Sequence, residues 1–390
     1  MEYMNIKYYR LRIGLDGRLL LRNLRGIAVY IYNVLEHILQ HDNRNQYIIY
    51  VNESSPYNIS KKIYKKTLDS LTRYPNCKVI NINAPNQFLW EQFYLPKRIR
   101  KDKLDILHMG ANRAPLYCPC RLIVTIHDMI EILYFEHFFR TLSGLRGRCY
   151  DYRVGMYIKF LYYHIFKKAD LIITVSHNSA NDIHRMSAIP LSKIKVIYLG
   201  YDKKLYRNRS IGKEDYLMAL GGMGHKNTSA IIKAFIRLPK RLREKYKLRI
   251  IGITPHIKKL VEEISEPNII LQDSDFSVPL TELYSKSLGL VYVSLYEGFG
   301  IPPIEAMACG TPVIASNRGS VPEITANSTL SVNPDDIDAI SHAMEKILTN
   351  KSLRNNLIEA GLDRVQQFSW EKCAEQHLAI YNSFKKKAIQ

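Results

Sequence analysis

Short apolar runs rich in β-branched residues alternate along this chain with stretches of helical period, and the alternation occurs in two successive series. Such a pattern builds parallel sheets, because parallel neighbours need a long crossover and a helix is the usual one. The first series predicts buried strands at 11–15, 47–51, 78–82, 106–108, 122–126, 171–175 and 195–199, with a helix over 28–40. After a polar stretch, 201–215, the series restarts at 216–220, 247–253, 269–271, 288–294 and 312–315. Two Rossmann-like, doubly wound α/β domains are therefore expected, 1–200 and 201–370, and 390 residues suffice for both. A last helical stretch, 371–387, is assignable to either half and would complete the first domain if it packs there. Open parallel sheets bind ligands beyond the carboxyl ends of their strands, so residues that follow strands carry the functional interest.

Composition narrows the classes. No run approaches the roughly 18 apolar residues of a membrane span. The opening stretch is broken by Glu2, Asn5, Lys7 and Arg10, unlike a secretory signal, so a cytoplasmic location is expected. Cys118-Pro119-Cys120 lacks the second half of a zinc site and reads as a loop with idle thiols. The net charge of +20 is uneven: residues 1–200 hold 30 Lys and Arg against 15 Asp and Glu. An excess of that size attracts an anionic partner: nucleic acid, an anionic membrane face or a phosphorylated substrate. No helix-turn-helix, zinc or RNA-binding pattern accompanies it, so nucleic acid is not the expected partner.

The densest motif follows the run at 288–294. Glu297 leads into Gly298-Phe299-Gly300-Ile301-Pro302-Pro303, a short helix is expected over 304–309, and Gly310 ends it. Glycines admit a ligand close to the backbone, and a helix amino terminus offers N–H groups to a phosphate. Glu297 and Glu305 flank this unit, with Glu305 expected on the first helical turn, and both can accept bonds from sugar or ribose hydroxyls. Each piece alone is commonplace, whereas their union in one strand–loop–helix unit is specific.

The stretch 297–305 resembles the Glu-x7-Glu element of glycosyltransferase family 4, the retaining enzymes of GT-B fold. Similar matches run along the chain: 13–30 with its glycine loop, Leu89-Trp90-Glu91-Gln92, Leu107-His108, Thr125-Ile126-His127-Asp128, Gly221–Asn227, and Phe368-Ser369-Trp370-Glu371. The resemblance implies a GT-B fold with two domains facing across a cleft. It implies a retaining hexosyl transfer from a nucleotide-diphosphate sugar to a glycan or polyprenyl- or lipid-linked acceptor in surface polysaccharide assembly. Glu297 is then expected to hold donor-sugar hydroxyls, with the Gly298, Phe299 and Gly300 loop beside the sugar and diphosphate. Glu305 is expected on the ribose and Lys226 on the leaving diphosphate, where electrostatic stabilisation is often the largest catalytic effect. Gly26 matches the loop that closes over the phosphates, and His127 the histidine near the anomeric centre. No cofactor and no metal are expected, and Asp335-Asp336 reads as a helix cap.

Two departures bear on the phosphates. The loop Gly221–Lys226 lacks the Arg that many relatives carry, leaving Arg25, Arg318 or His225 to supplement Lys226, while Ala28 and Val29 replace a common Gly and Arg. Residues 138–168 interleave Arg140, Arg146, Arg148, Arg153, Lys159, Lys167 and Lys168 with Tyr150, Tyr152, Tyr157, Tyr162 and Tyr163. That mixture suits peripheral docking on an anionic bilayer, and equally a helix packed on its own domain with a solvated basic face. A GT-B epimerase or nucleotide-sugar hydrolase is the competing enzyme class, and a basic nucleic-acid-binding protein the competing non-enzyme.

Overall fold

A computed structural model describes residues 10–22, 26–55, 58–133, 155–209, 211–222, 224–273 and 278–385. Its first sheet contains β1 (Arg12–Asp16), β2 (Gln46–Val51), β3 (Cys77–Asn81), β4 (Ile106–Met109), β5 (Arg121–Thr125), β6 (Leu171–Thr174) and β7 (Ile194–Val196). The order is β3-β2-β1-β4-β5-β6-β7, parallel at every pairing. The second sheet contains β8 (Tyr216–Leu220), β9 (Lys247–Ile251), β10 (Ile269–Gln272), β11 (Gly289–Tyr292), β12 (Val313–Ser316) and β13 (Leu330–Val332). Its order is β10-β9-β8-β11-β12-β13, also parallel throughout. The central strands are buried on both faces, which is why they read as unbroken apolar runs.

Each run expected as a strand holds one, displaced at its ends by a few residues. β13 is the addition: Leu-Ser-Val at a sheet edge carries too little pattern to stand out. The helix after β1 spans Ile27–His41. In each sheet the strand order reverses beside the first strand, at β1/β4 and at β8/β11, and such a reversal leaves a crevice beyond the carboxyl ends.

Residues up to Gly200 and those from Trp370 onward form one compact unit; Tyr201–Ser369 form the other. The helix Trp370–Ser383 packs on Ile27–His41 in the first unit, which settles where the last helical stretch belongs. A buried chain of hydrogen bonds holds it there. The carbonyl of Cys373 lies 2.7 Å from His377 Nδ1, so that nitrogen carries the proton and Nε2 accepts from the Tyr30 hydroxyl at 2.8 Å. Tyr30 then accepts from Thr125 Oγ1 (2.9 Å), and Thr125 from His108 Nε2 (2.8 Å). His108 Nδ1 accepts from the Tyr381 hydroxyl at 2.6 Å, returning the chain to the same helix. One carbonyl thus sets the direction of every proton, and both histidines are neutral.

Candidate functional site

In the second unit the β8/β11 crevice gathers most of the expected donor residues. After β8 the chain passes Gly221 and Gly222 into a short helical turn, Gly224–Lys226. Asn227 then takes a left-handed conformation (φ 57°), and its side-chain amide donates to the carbonyls of Val293 (3.3 Å) and Pro334 (2.7 Å). The backbone N–H of Leu295 donates to the His225 carbonyl at 2.8 Å. These bonds stitch the loop after β8 to the one after β11 and place Lys226 opposite Glu297.

Lys226 Nζ lies 2.7 Å from Glu297 Oε1 and 3.3 Å from the Tyr292 hydroxyl. Burial works to raise the Glu297 carboxyl, but the Lys226 charge and hydrogen bond, with His225 nearby, outweigh it and hold the carboxyl below its ordinary value. Burial lowers the His225 imidazole despite the proximity of Glu297. Tyr292 is raised well above an ordinary phenol by burial first and then by Glu297.

The loop after β11 is tied down from the other side. Ser320 Oγ lies 2.9 Å from the carbonyls of both Glu297 and Phe299, while the Phe299 ring meets Phe368 edge-on at 5.7 Å. Gly300 adopts φ 101°, a conformation L side chains rarely take, and precedes the helix Ile301–Ala308. That helix starts earlier than 304 because proline's fixed φ and missing N–H suit the first turn, so Pro302 and Pro303 lie inside it. Glu305 consequently falls on the second turn rather than the first. Its carboxyl accepts from Tyr206 and from Tyr284, the latter at 3.4 Å. Burial dominates there and pushes it up to about 7, with the two hydroxyls pulling the other way. The two glutamates are thus differently tuned: Glu297 is an ion-paired carboxylate, Glu305 a carboxyl near its titration point. Tyr292 feels both.

Of the cations expected to supplement Lys226, Arg318 is engaged with Asp335 (2.5 Å) and Asn333 (3.1 Å), and His225 is disfavoured as a cation by burial. Arg25 lies outside the described residues. Asp336 caps Ile337–Thr349, its Oδ1 accepting from Ala339 N–H at 2.9 Å.

Residues 203–364 match the family described as glycosyl transferases group 1, and residues 24–205 match glycosyltransferase family 4. The chain belongs to the family 4 glycosyltransferases. It is 29% identical to O-antigen chain mannosyltransferase B of Escherichia coli over 72% of this chain and 75% of that one. It is 34% identical to O-antigen chain mannosyltransferase RfbU of Salmonella typhimurium, over 58% of this chain and 65% of the relative. Among solved structures, sucrose-phosphate synthase from Thermosynechococcus elongatus superimposes with a TM-score of 0.71 at 20% identity, covering 96% of this chain and 99% of that one. Anabaena HepE in complex with UDP-glucose gives 0.68 at 16% identity, covering 96% and 100%. The fold is GT-B.

The glycosyltransferase's first unit holds the other two expected residues. Gly26 precedes Ile27–His41 at φ 51° with open space where a side chain would lie. His127 follows β5 and is only 6% exposed. Its backbone N–H donates to Asn112 Oδ1 (3.0 Å), its Nε2 lies 3.1 Å from the Gly110 carbonyl, and Tyr30 meets its ring edge-on at 4.7 Å. Burial pushes it down to about 4, so the ring is neutral, its Nε2–H committed to Gly110. Sequence reasoning passed over Tyr206, Tyr284, Tyr292 and Ser320. Only Tyr292 carried a signal, as the last residue of a buried strand five places before Glu297.

Part of the basic, aromatic stretch 138–168 falls within the described residues. Arg140, Arg146, Arg148, Tyr150, Tyr152 and Arg153 lie outside the described residues. From 155 on, Ile158, Leu161, Tyr162, Ile165 and Phe166 are core residues, and Tyr157 donates to Glu91 Oε1 at 2.6 Å. One face of this portion, with Tyr162, is therefore packed on its own domain, while Met156, Phe160 and Tyr163 are exposed. Cys118 and Cys120 are partly exposed with their sulfurs 3.6 Å apart. Among the described residues no helix is long and apolar enough to cross a membrane.

Proposed function

We propose that this enzyme transfers a hexose, with retention of configuration and without a metal, from a nucleotide-diphosphate sugar to a glycan or lipid-linked glycan in surface polysaccharide assembly. The observation that carries the reading is the Lys226–Glu297 pair at the β8/β11 reversal, 2.7 Å apart and largely shielded from water. An arriving diphosphate competes for Lys226. That releases Glu297, already ionised, to accept from the donor-sugar hydroxyls. Lys226 then meets the charge that grows on the leaving diphosphate oxygen, a site where fixed charge acts on the transition state more than on the ground state. Glu305 takes two ribose hydroxyls in place of Tyr206 and Tyr284. The diphosphate oxygen deprotonates the acceptor on the face from which it departs. Gly26 and the neutral His127, both of the first unit, are the further residues assigned to the donor.

The names of the relatives support mannose among the donors and O-antigen-like glycans among the acceptors, and the HepE complexes support a nucleotide sugar. A thermal-shift panel of UDP-, GDP-, ADP- and dTDP-sugars tests the donor, and the anomeric configuration of the product tests retention. If no nucleotide sugar raises the melting point, the transferase reading of this site fails. Free sugar released without an acceptor would point to a hydrolase instead.

A further inference from the structure

The helical segment Gln87–Leu89, Trp90–Tyr94 and Leu95–Asp102 runs continuously across the surface of the first unit. One side, Trp90, Leu95 and Ile99, is core. On the other side the middle turn is a π-turn with i→i+5 bonding, which brings residues five apart onto one face. In a regular α-helix, Phe88 and Phe93 would diverge by about 140°. Here their rings lie 6.3 Å apart, edge to face. The Leu116 N–H donates to Gln92 Oε1 at 2.6 Å, which ties the Leu116–Tyr117 loop to this segment. Phe88, Phe93, Leu116 and Tyr117 are each 42–56% exposed, a large apolar set for the surface of a soluble unit.

Its surroundings are basic. The Arg100 guanidinium sits 5.8 Å from the Tyr117 ring centre, and residues 97–103 hold Lys97, Arg98, Arg100, Lys101 and Lys103 against Asp102 alone. Arg98 pairs with Asp102 at 2.8 Å, which leaves the other four to supply the net positive charge. Exposed aromatics flanked by cations match an anionic bilayer, where rings lodge at headgroup level and each cation near the surface adds attraction.

We propose that this π-turn face, with the Leu116–Tyr117 loop, docks the enzyme onto an anionic lipid bilayer. The inference rests on the reading that the acceptor is lipid-linked, and it places the contact at 87–103 and 116–117. The π-turn has a direct role here, since without it the two phenylalanines would not form one wedge.

Sedimentation with vesicles of equal parts phosphatidylglycerol and phosphatidylcholine, against pure phosphatidylcholine, tests this without any donor. The wild type is expected to bind only the anionic vesicles, and to lose about tenfold in affinity when salt rises from about 0.05 M to about 0.5 M. Phe88→Ser/Phe93→Ser and Lys97→Glu/Arg100→Glu should each bind about tenfold more weakly, with melting point and nucleotide-sugar shift retained. Tyr117→Ser, on a loop, gives the same test if the helix variants misfold. Variants that bind vesicles like the wild type overturn the proposal, as does a wild type that takes up RNA in preference to vesicles. A wild type that ignores anionic vesicles yet is stabilised by a nucleotide sugar overturns the docking surface and leaves the transferase reading standing; one that responds to neither removes both.

Discussion

The Tyr30 hydroxyl donates to His377 Nε2 at 2.8 Å, across 347 positions of sequence, and joins the helix Ile27–His41 to the helix Trp370–Ser383. Tyr30 also lies edge-on to His127, so the ring of a proposed active-site residue rests on a side chain whose rotamer the C-terminal helix controls. Phe cannot accept from Thr125 or donate to His377. Tyr30→Phe should therefore strand both partners in the core and cost about 1–3 kcal/mol of stability by denaturant titration.

The same network makes the first unit acid-sensitive. Burial pushes His127 and His377 to about 4 and depresses His108 too. A histidine neutral in the fold and free to charge at about 6.5 when unfolded binds more protons in the unfolded state. Stability therefore falls as pH drops from about 6.5 towards about 4, by about 1.4 kcal/mol per pH unit for each such histidine. His377→Phe should be less stable at neutral pH and should lose about one proton's worth of that slope. Melting curves across the window read both effects. An unchanged slope would mean that His377 titrates alike in both states.

Removing either partner of the Lys226–Glu297 pair should cost activity, by about a hundredfold to a thousandfold in kcat for Lys226→Ala. Stability should respond unequally. Lys226 is 21% exposed and can turn its ammonium to water, whereas Glu297 at 12% has less access. Lys226→Ala is thus expected to destabilise by about 3 kcal/mol and Glu297→Ala by about 1 kcal/mol. The double variant should fall short of the sum, because the second change removes the charge that the first left unpaired. Denaturant titration of all three checks the asymmetry.

The fold was legible in the sequence because buried parallel strands announce themselves as apolar runs, and two series of them mark two sheets. The glutamate loop was legible because Gly300, with φ 101°, and the prolines after it leave few alternatives for the backbone. What the sequence hid is the surroundings of those residues. Glu305 owes its raised carboxyl to burial, against the pull of the Tyr206 and Tyr284 hydroxyls, which meet it only through tertiary packing. The helix start was misplaced because prolines that usually announce a boundary also fit inside a first turn. The π-turn at Trp90–Tyr94 has no periodic signature of its own, so Phe88 and Phe93 read as separate residues.

Gly300→Ala tests the backbone directly. At φ 101° an added Cβ is strained even though it would meet no clash, its nearest contact being an ordinary one with Tyr292 at 3.9 Å. The expected cost is about 1–3 kcal/mol, together with weaker nucleotide-sugar binding as the Phe299 loop shifts. A variant as stable as the wild type would show that the loop relaxes without effect on the site.

Glu305 supplies the sharpest pH test. Burial sets its carboxyl at about 7, above its unfolded value, so the folded protein holds this proton more tightly than the unfolded chain. Its contribution to stability is therefore full below about 4.5 and lost as pH rises through about 7. Donor binding should run the other way. Ribose hydroxyls donate to a carboxylate, and a protonated Glu305 offers one acceptor fewer, so nucleotide-sugar affinity should strengthen by about tenfold from pH about 6 to about 8. Glu305→Gln has no proton to lose. It should bind the donor weakly across that range, with a flat pH profile and a stability that no longer declines between about 4.5 and about 7. Calorimetric titration with the stabilising nucleotide sugar at both pH values reads the first effect, and melting curves the second. A wild-type affinity that does not change over this range would separate Glu305 from the ribose.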